Sequence, residues 1–204
     1  MPTWLLIVTT VLLFALLGAL LWYGVYTPCM RRRSKRYLDT LGESLLHPEP
    51  IDLQRYAGKW YEVARLPNSF ERGCVCSTAE YAIDEKDEAL IRVTNRCRRI
   101  DGATRSAATG RARAQNENKT ALSVSFAPEW LGQGTAGDYW ILDVDSDYQR
   151  ALVGTPDRKL LWVLARSPSF ADERPQEFRK LAQQALDKGY DISKLQMNRC
   201  TLFD

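Results

Sequence analysis

His47 is the only histidine in the 204 residues, and this removes much of the chemistry a chain of this size could carry. Ser-His-Asp and Cys-His nucleophilic arrangements and multi-histidine zinc sites all need an imidazole that is placed rather than incidental. Paired carboxylates occur at Asp84/Glu85 and Asp143/Asp145, in or beside stretches rich in turn residues, where acids are solvated. No glycine-rich phosphate loop precedes a helix. The residues therefore give no catalytic set and no metal site, and the expectation is that the chain is not an enzyme and carries no cofactor. Five cysteines remain. Cys74, Cys76, Cys97 and Cys200 can form two disulfides in three ways, and such bridges persist in oxidising compartments; four reduced thiols in a cytosolic domain is the alternative.

The formal net charge of +3 is lopsided. Arg31, Arg32, Arg33, Lys35 and Arg36 supply five positive charges in six positions, and taking that +5 from +3 leaves the remainder at −2. A nucleic-acid surface built on overall basicity is excluded on that ground. Before the basic run, 4–26 carries no charged residue and would extend about 35 Å as a helix, enough to span a bilayer. Trp4, Trp22, Tyr23 and Tyr26 lie at its ends, as interfacial aromatics do. Met1-Pro2-Thr3 lacks the basic residue of a signal peptide, so a retained N-terminal transmembrane helix is expected. The basic flank alone would leave the C-terminal part in the cytoplasm, whereas the four cysteines argue for export. Lipidation of Cys29 would reconcile the two, although Tyr26-Thr27-Pro28 is not a small-residue processing site. The expected organisation is a membrane anchor with its basic flank over 1–36, a linker over 37–50 and one domain over 51–204.

From Ile51 the texture changes to short apolar runs between turn residues, the pattern of an antiparallel all-β domain. Strands are expected at 58–65, 75–84, 89–98, 107–114, 120–126, 138–144, 148–154 and 160–166. Eight consecutive strands suit an up-and-down barrel wide enough for one small ligand. One helix follows. Phe178, Leu181, Ala182, Ala185 and Leu186 form a stripe at helical spacing, with Asp172 as N-cap, Pro175 in the first turn and Gly189 at the end. It is expected against the outer wall of the barrel.

Gly58-Lys59-Trp60, opening the first strand, resembles the Gly-x-Trp segment of lipocalins. Two further segments follow in order: Gly137 to Leu142 with Asp145, Tyr148 and Pro156-Asp157-Arg158, then Leu161 to Arg166 with Ser167-Pro168. The resemblance covers about 150 residues, is nearest to the bacterial outer-membrane lipoprotein type, and includes apolipoprotein D. It implies an eight-stranded antiparallel up-and-down barrel with one C-terminal α-helix outside. It also implies that Gly58, Trp60 and Arg166 are structural, with Trp60 plugging the narrow end and Arg166 lying across it in a contact of about 1–2 kcal/mol. The family pairs a cysteine early in the second strand with the tail, which implies Cys76–Cys200 and leaves Cys74–Cys97.

Alternation places a candidate lining. Cys74 and Cys76 share a face by spacing; if both bridges form, that face points out and Ser77, Ala79 and Tyr81 point in. With Trp60 inward, Glu62 and Ala64 line the same wall, and Trp162 and Leu164 share the face of Arg166. Phe126, Trp130 and Leu131 round an open-end loop. Tyr139 and Ile141, or their neighbours Trp140 and Leu142, line the sixth strand. An inward Glu62 needs a partner, a tyrosine hydroxyl or a ligand headgroup. The resemblance implies binding of fatty acids, lysophospholipids or similar apolar ligands for storage or transport in membrane maintenance, by a membrane-anchored barrel on the periplasmic, oxidising side of a cell envelope. The alternatives are a carrier of another small apolar ligand or pigment, an isomerase of the same fold, or an interaction module with a filled barrel.

Overall fold

The computed structural model describes residues 45–85, 87, 90–127 and 136–203. Eight strands alternate in direction: β1 (Gly58–Arg65), β2 (Cys76–Ile83), β3 (Leu90–Arg98), β4 (Thr104–Ala114), β5 (Ala121–Ser125), β6 (Gly137–Val144), β7 (Arg150–Gly154) and β8 (Leu161–Ala165). Each pairs antiparallel with the next, and β1 pairs with both β2 and β8, so the sheet closes on itself. Closure removes the exposed edges that an open sheet would offer to other chains. A two-residue strand, β9 (Gln196–Met197), adds to β1 at Arg65 and Ala64. Because successive strands alternate, the connections 66–75, 99–103 and 155–160 share one end of the barrel with the end of β5 and the start of β6.

The opposite end is shut. Helix α1 (Leu53–Tyr56) precedes β1, and its N-cap Asp52 accepts from the amides of Gln54 and Arg55. A tight reversal then feeds β1 through Gly58, whose φ of +92° is a conformation that L side chains rarely adopt. Outside the wall, α2 (Phe170–Glu173) leads into α3 (Pro175–Asp187), which buries Leu181 and Ala185. Arg150 holds Glu177 of α3 at 3.4 Å. The Tyr190 hydroxyl donates to the Thr155 carbonyl at 2.8 Å.

Several expectations need correction. The expected fold class included a transmembrane helix, but no helix among the described residues is long and apolar enough to cross a membrane; residues 4–26, like Cys29, lie outside the described residues. Asp172 does not cap the long helix. It sits inside α2, and Arg174 occupies the N-cap of α3 without a side-chain hydrogen bond. Leu45 and Leu46, expected at the end of a linker, are buried, and the amide of His47 donates to the Ile141 carbonyl.

Candidate functional site

The inner face of the barrel follows from cross-strand partners, which share a face. Trp60 faces Ala79, Ala79 faces Asn95, and Asn95 faces Ala108, a ladder running across four strands. Beside it lie the pairs Tyr81–Val93, Ala112–Val124, Leu122–Tyr139, Ile141–Val153 and Leu164–Glu62. Most of these residues belong to one apolar cluster with Trp60, Tyr56 and Leu53. Ile141 and Tyr139 therefore line the lumen, while Trp140 pairs with Gly154 on the other face.

The lumen is not uniformly filled. Ala79, Val124, Tyr139 and Trp162 are only half-buried although they face inward, and Asn95 and Ala108 are exposed. At the shut end, Trp60 is fully buried, and its indole donates to the Tyr56 carbonyl at 2.8 Å. The Arg166 guanidinium lies over the Trp60 ring at 3.8 Å. Burial lowers the pKa of that guanidinium from its ordinary value, against the pull of Tyr56 and Tyr81.

Three phenols form the inner surface of this floor. The Tyr139 hydroxyl lies 2.8 Å from the hydroxyls of both Tyr56 and Tyr81. The Tyr56 ring packs 5.1 Å from Trp60 and 5.6 Å from Tyr81. Burial pushes all three phenols upward, so all stay neutral.

Toward the open end the wall becomes ionic. The register of β1 against β8 shifts between Glu62 and Ala64, so Arg65 faces Trp162 and Ala64 faces Val163. This bulge inverts the alternation. Ala64, expected in the lining, is instead buried on the outer face, and Arg65 takes its place beside Glu62. Arg65 donates to the Glu62 carboxyl at 2.7 Å and to Asn198, and also to the carbonyls of Glu71 and Cys74. Asn198 donates in turn to Glu62 at 2.6 Å. Glu71 accepts from Asn68 and from the Trp162 indole. Burial pushes the Glu62 carboxyl well up, and the neighbouring Glu71 adds to this. Burial also pushes Glu71 up, but hydrogen bonds from Glu62, Trp162 and Asn68 and the charge of Arg65 outweigh it and hold Glu71 down. The two carboxyls are thus shifted in opposite directions, Glu62 up and Glu71 down, opposite one guanidinium. The hydrogen-bond partners of Glu62 are Arg65 and Asn198 rather than a tyrosine hydroxyl.

Both disulfides are formed, Cys74–Cys97 and Cys76–Cys200, the pairs that the resemblance implied. Cys74 and Cys76 do not share a face. Cys97 pairs across the sheet with Ser77, one residue out of phase with Cys76, because Cys74 precedes β2 and escapes its alternation. Ser77 is buried, and its hydroxyl has no hydrogen-bond partner among the described residues. Phe126 follows the end of β5, 46% exposed, and lies against Gly110, where any Cβ would meet its ring. Trp130 and Leu131 lie outside the described residues. Tyr56, Arg65, Glu71 and Asn198 were not foreseen. Among the described residues no group of three or more His, Cys, Asp or Glu could hold a metal ion. His47 sits 3.6 Å from Asp143, a pair across from Leu152 rather than among the lumen residues.

The model of the Lipocalin-like domain matches residues 51–199. The chain belongs to the lipocalin family. Temperature-induced lipocalin-1 of Arabidopsis thaliana is 34% identical over 150 residues, covering 71% of this chain and 77% of the relative. Outer membrane lipoprotein Blc of Escherichia coli K12 is 35% identical over 145 residues, covering 71% and 76%. Apolipoprotein D of Bos taurus is 33% identical over 138 residues, covering 62% and 68%. Insecticyanin from the tobacco hornworm superposes with a TM-score of 0.56 at 24% identity, covering 74% of this chain and 82% of its own, which bears on the fold alone. As in other lipocalins, the lumen is suited to a small apolar ligand, and Gly58, Trp60 and Arg166 belong to its floor.

Proposed function

We propose that this lipocalin carries fatty acids, lysophospholipids or similar apolar lipids in its lumen, for storage or transport in membrane maintenance. The observation that carries the reading is the unfilled inner wall. Ala79, Val124, Trp162 and Tyr139 face inward with accessible surface left over, and the ladder ends at the exposed Asn95 and Ala108. An acyl chain that covers this wall gains about 0.8 kcal/mol per buried methylene. Arg65 is already engaged by Glu62, Glu71 and Asn198, so affinity rests on the apolar chain and not on a buried ion pair with the headgroup.

We place the carrier in residues 51–204 and in an oxidising compartment, on the periplasmic side of a cell envelope. Two disulfides support that placement, and so does the relative named as an outer membrane lipoprotein. The membrane is then the source and destination of the cargo. Binding is the expected activity, because the one histidine lies 3.6 Å from Asp143, away from the lumen.

The test is extraction and mass spectrometry of lipid from protein purified in mild detergent, with native mass spectrometry of the intact complex. Co-purified acyl lipid in about one copy per chain is the expected result. A coloured ligand would make this a pigment carrier, and no ligand together with no response to added lysophospholipid would mean a filled barrel.

A further inference from the structure

Tyr56, Tyr81 and Tyr139 have three O–H donors between them, and the two bonds joining their hydroxyls use only two. Among the described residues the third proton has no acceptor. Tyr56 and Tyr81 are 1% and 5% exposed, whereas Tyr139 is half-buried, and it faces the lumen. The arrangement that serves all three hydroxyls has Tyr56 and Tyr81 each donating to Tyr139. Both lone pairs of Tyr139 are then taken and its own proton is free to point into the cavity. A hydroxyl that accepts two hydrogen bonds is polarised and donates more strongly.

We propose that Tyr139 is a polar end-stop, donating a hydrogen bond to a neutral oxygen, hydroxyl or carbonyl, on the end of an acyl chain that enters the lumen first. The preferred cargo is therefore an acyl lipid oxygenated at or near its far end. This rests on the carrier reading and narrows it. A neutral oxygen suits the place better than a charged one. The Arg166 guanidinium lies over Trp60 with its donors taken by the carbonyls of Arg55, Tyr56, Ala57, Lys59 and Tyr148, so a carboxylate at the floor would lose its hydration without gaining a counterion. The carboxyls of Glu62 and Glu71 are occupied by Arg65, Asn198, Asn68 and Trp162.

The experiment is competition binding to the full chain, using plain fatty acids from decanoic to hexadecanoic and their ω-hydroxy counterparts as matched pairs. An ω-hydroxyl driven into an apolar floor loses its water and weakens binding. In the wild type at least one chain length should bind as tightly with the ω-hydroxyl as without it. In the triple variant Tyr56→Phe/Tyr81→Phe/Tyr139→Phe, the ω-hydroxy acid of that length should bind about five-fold more weakly than its plain partner, the readout being the ratio within each matched pair. The triple variant removes donors and acceptors together, so it leaves no orphan hydroxyl in the floor, and its thermal unfolding verifies that it folds. An ω-hydroxyl penalty of equal size in wild type and triple variant overturns the inference and leaves the carrier reading standing. If wild type binds neither acid of any pair, both fall.

Discussion

The Arg166 guanidinium lies 3.8 Å over the Trp60 ring while its three nitrogens donate to five backbone carbonyls. One side chain thereby ties together α1, the entry to β1 and the 145–149 turn. Replacing Arg166 with Ala removes the cation–π contact and leaves those carbonyls to water, at a cost of about 2–3 kcal/mol. Lys keeps the charge but lacks the fork, so Arg166→Lys should fall between Ala and wild type. Urea unfolding of the two variants would order them, and equal stability for Ala and Arg would refute the tie.

The two disulfides should contribute unequally. Cys76–Cys200 spans 124 residues, whereas Cys74–Cys97 spans 23. On the loop-entropy relation these correspond to about 5 and about 3.5 kcal/mol. The double variant Cys76→Ser/Cys200→Ser should therefore melt below Cys74→Ser/Cys97→Ser, as scanning calorimetry would read directly. The reverse order would show that the reduced chain keeps native-like contacts between its tail and β2.

Glu62 and Glu71 tilt the pH dependence of stability in opposite directions. The folded value of Glu62 is raised, so the stability it contributes is full below its ordinary 4.5 and is lost as pH rises through the raised value. Glu71 is lowered, so its contribution is present above 4.5 and is lost as pH falls through the lowered value. Glu62→Gln keeps an oxygen for Arg65 and Asn198 and offers Glu71 a permanent donor. Stability between pH 4.5 and neutrality should then lose the slope contributed by Glu62, and at neutral pH it should equal or exceed wild type. Unfolding curves across that range test this, and an unchanged slope would place the titration elsewhere.

The sequence conveyed the barrel better than its contents. Strand alternation is a local, repeated signal, and the Gly58, Trp60 and Arg166 positions carry it to the right closure. Which residues face inward was legible where the alternation runs unbroken, at Ala79, Tyr81, Tyr139, Ile141, Trp162 and Leu164. It failed at Ala64, because a bulge of one residue reverses the phase of everything after it and nothing in Glu62-Val63-Ala64 announces one. Tyr56 escaped notice because α1 is four residues long, too short for any periodicity. Asn198 and Glu71 reach the wall from 136 and 9 positions away from Glu62 in sequence, through a tail and a loop, and chain pattern says nothing about such contacts.

Ala108 offers a way to close the lumen without touching its floor. It lies at the end of the ladder from Trp60 through Ala79 and Asn95, faces inward and is exposed, so a large side chain there meets open space rather than packed atoms. Ala107, its neighbour, pairs with Arg96 on the opposite face of the sheet and is equally exposed. Ala108→Trp should fold with a stability within about 0.5 kcal/mol of wild type, as surface substitutions do, yet lose most co-purifying acyl lipid. Ala107→Trp should match wild type in both. Lipid content by mass spectrometry and melting temperature, measured on the same preparations, separate occlusion from unfolding. If Ala108→Trp stays fully loaded, the cargo does not pass that wall, and the acyl chain would have to lie elsewhere.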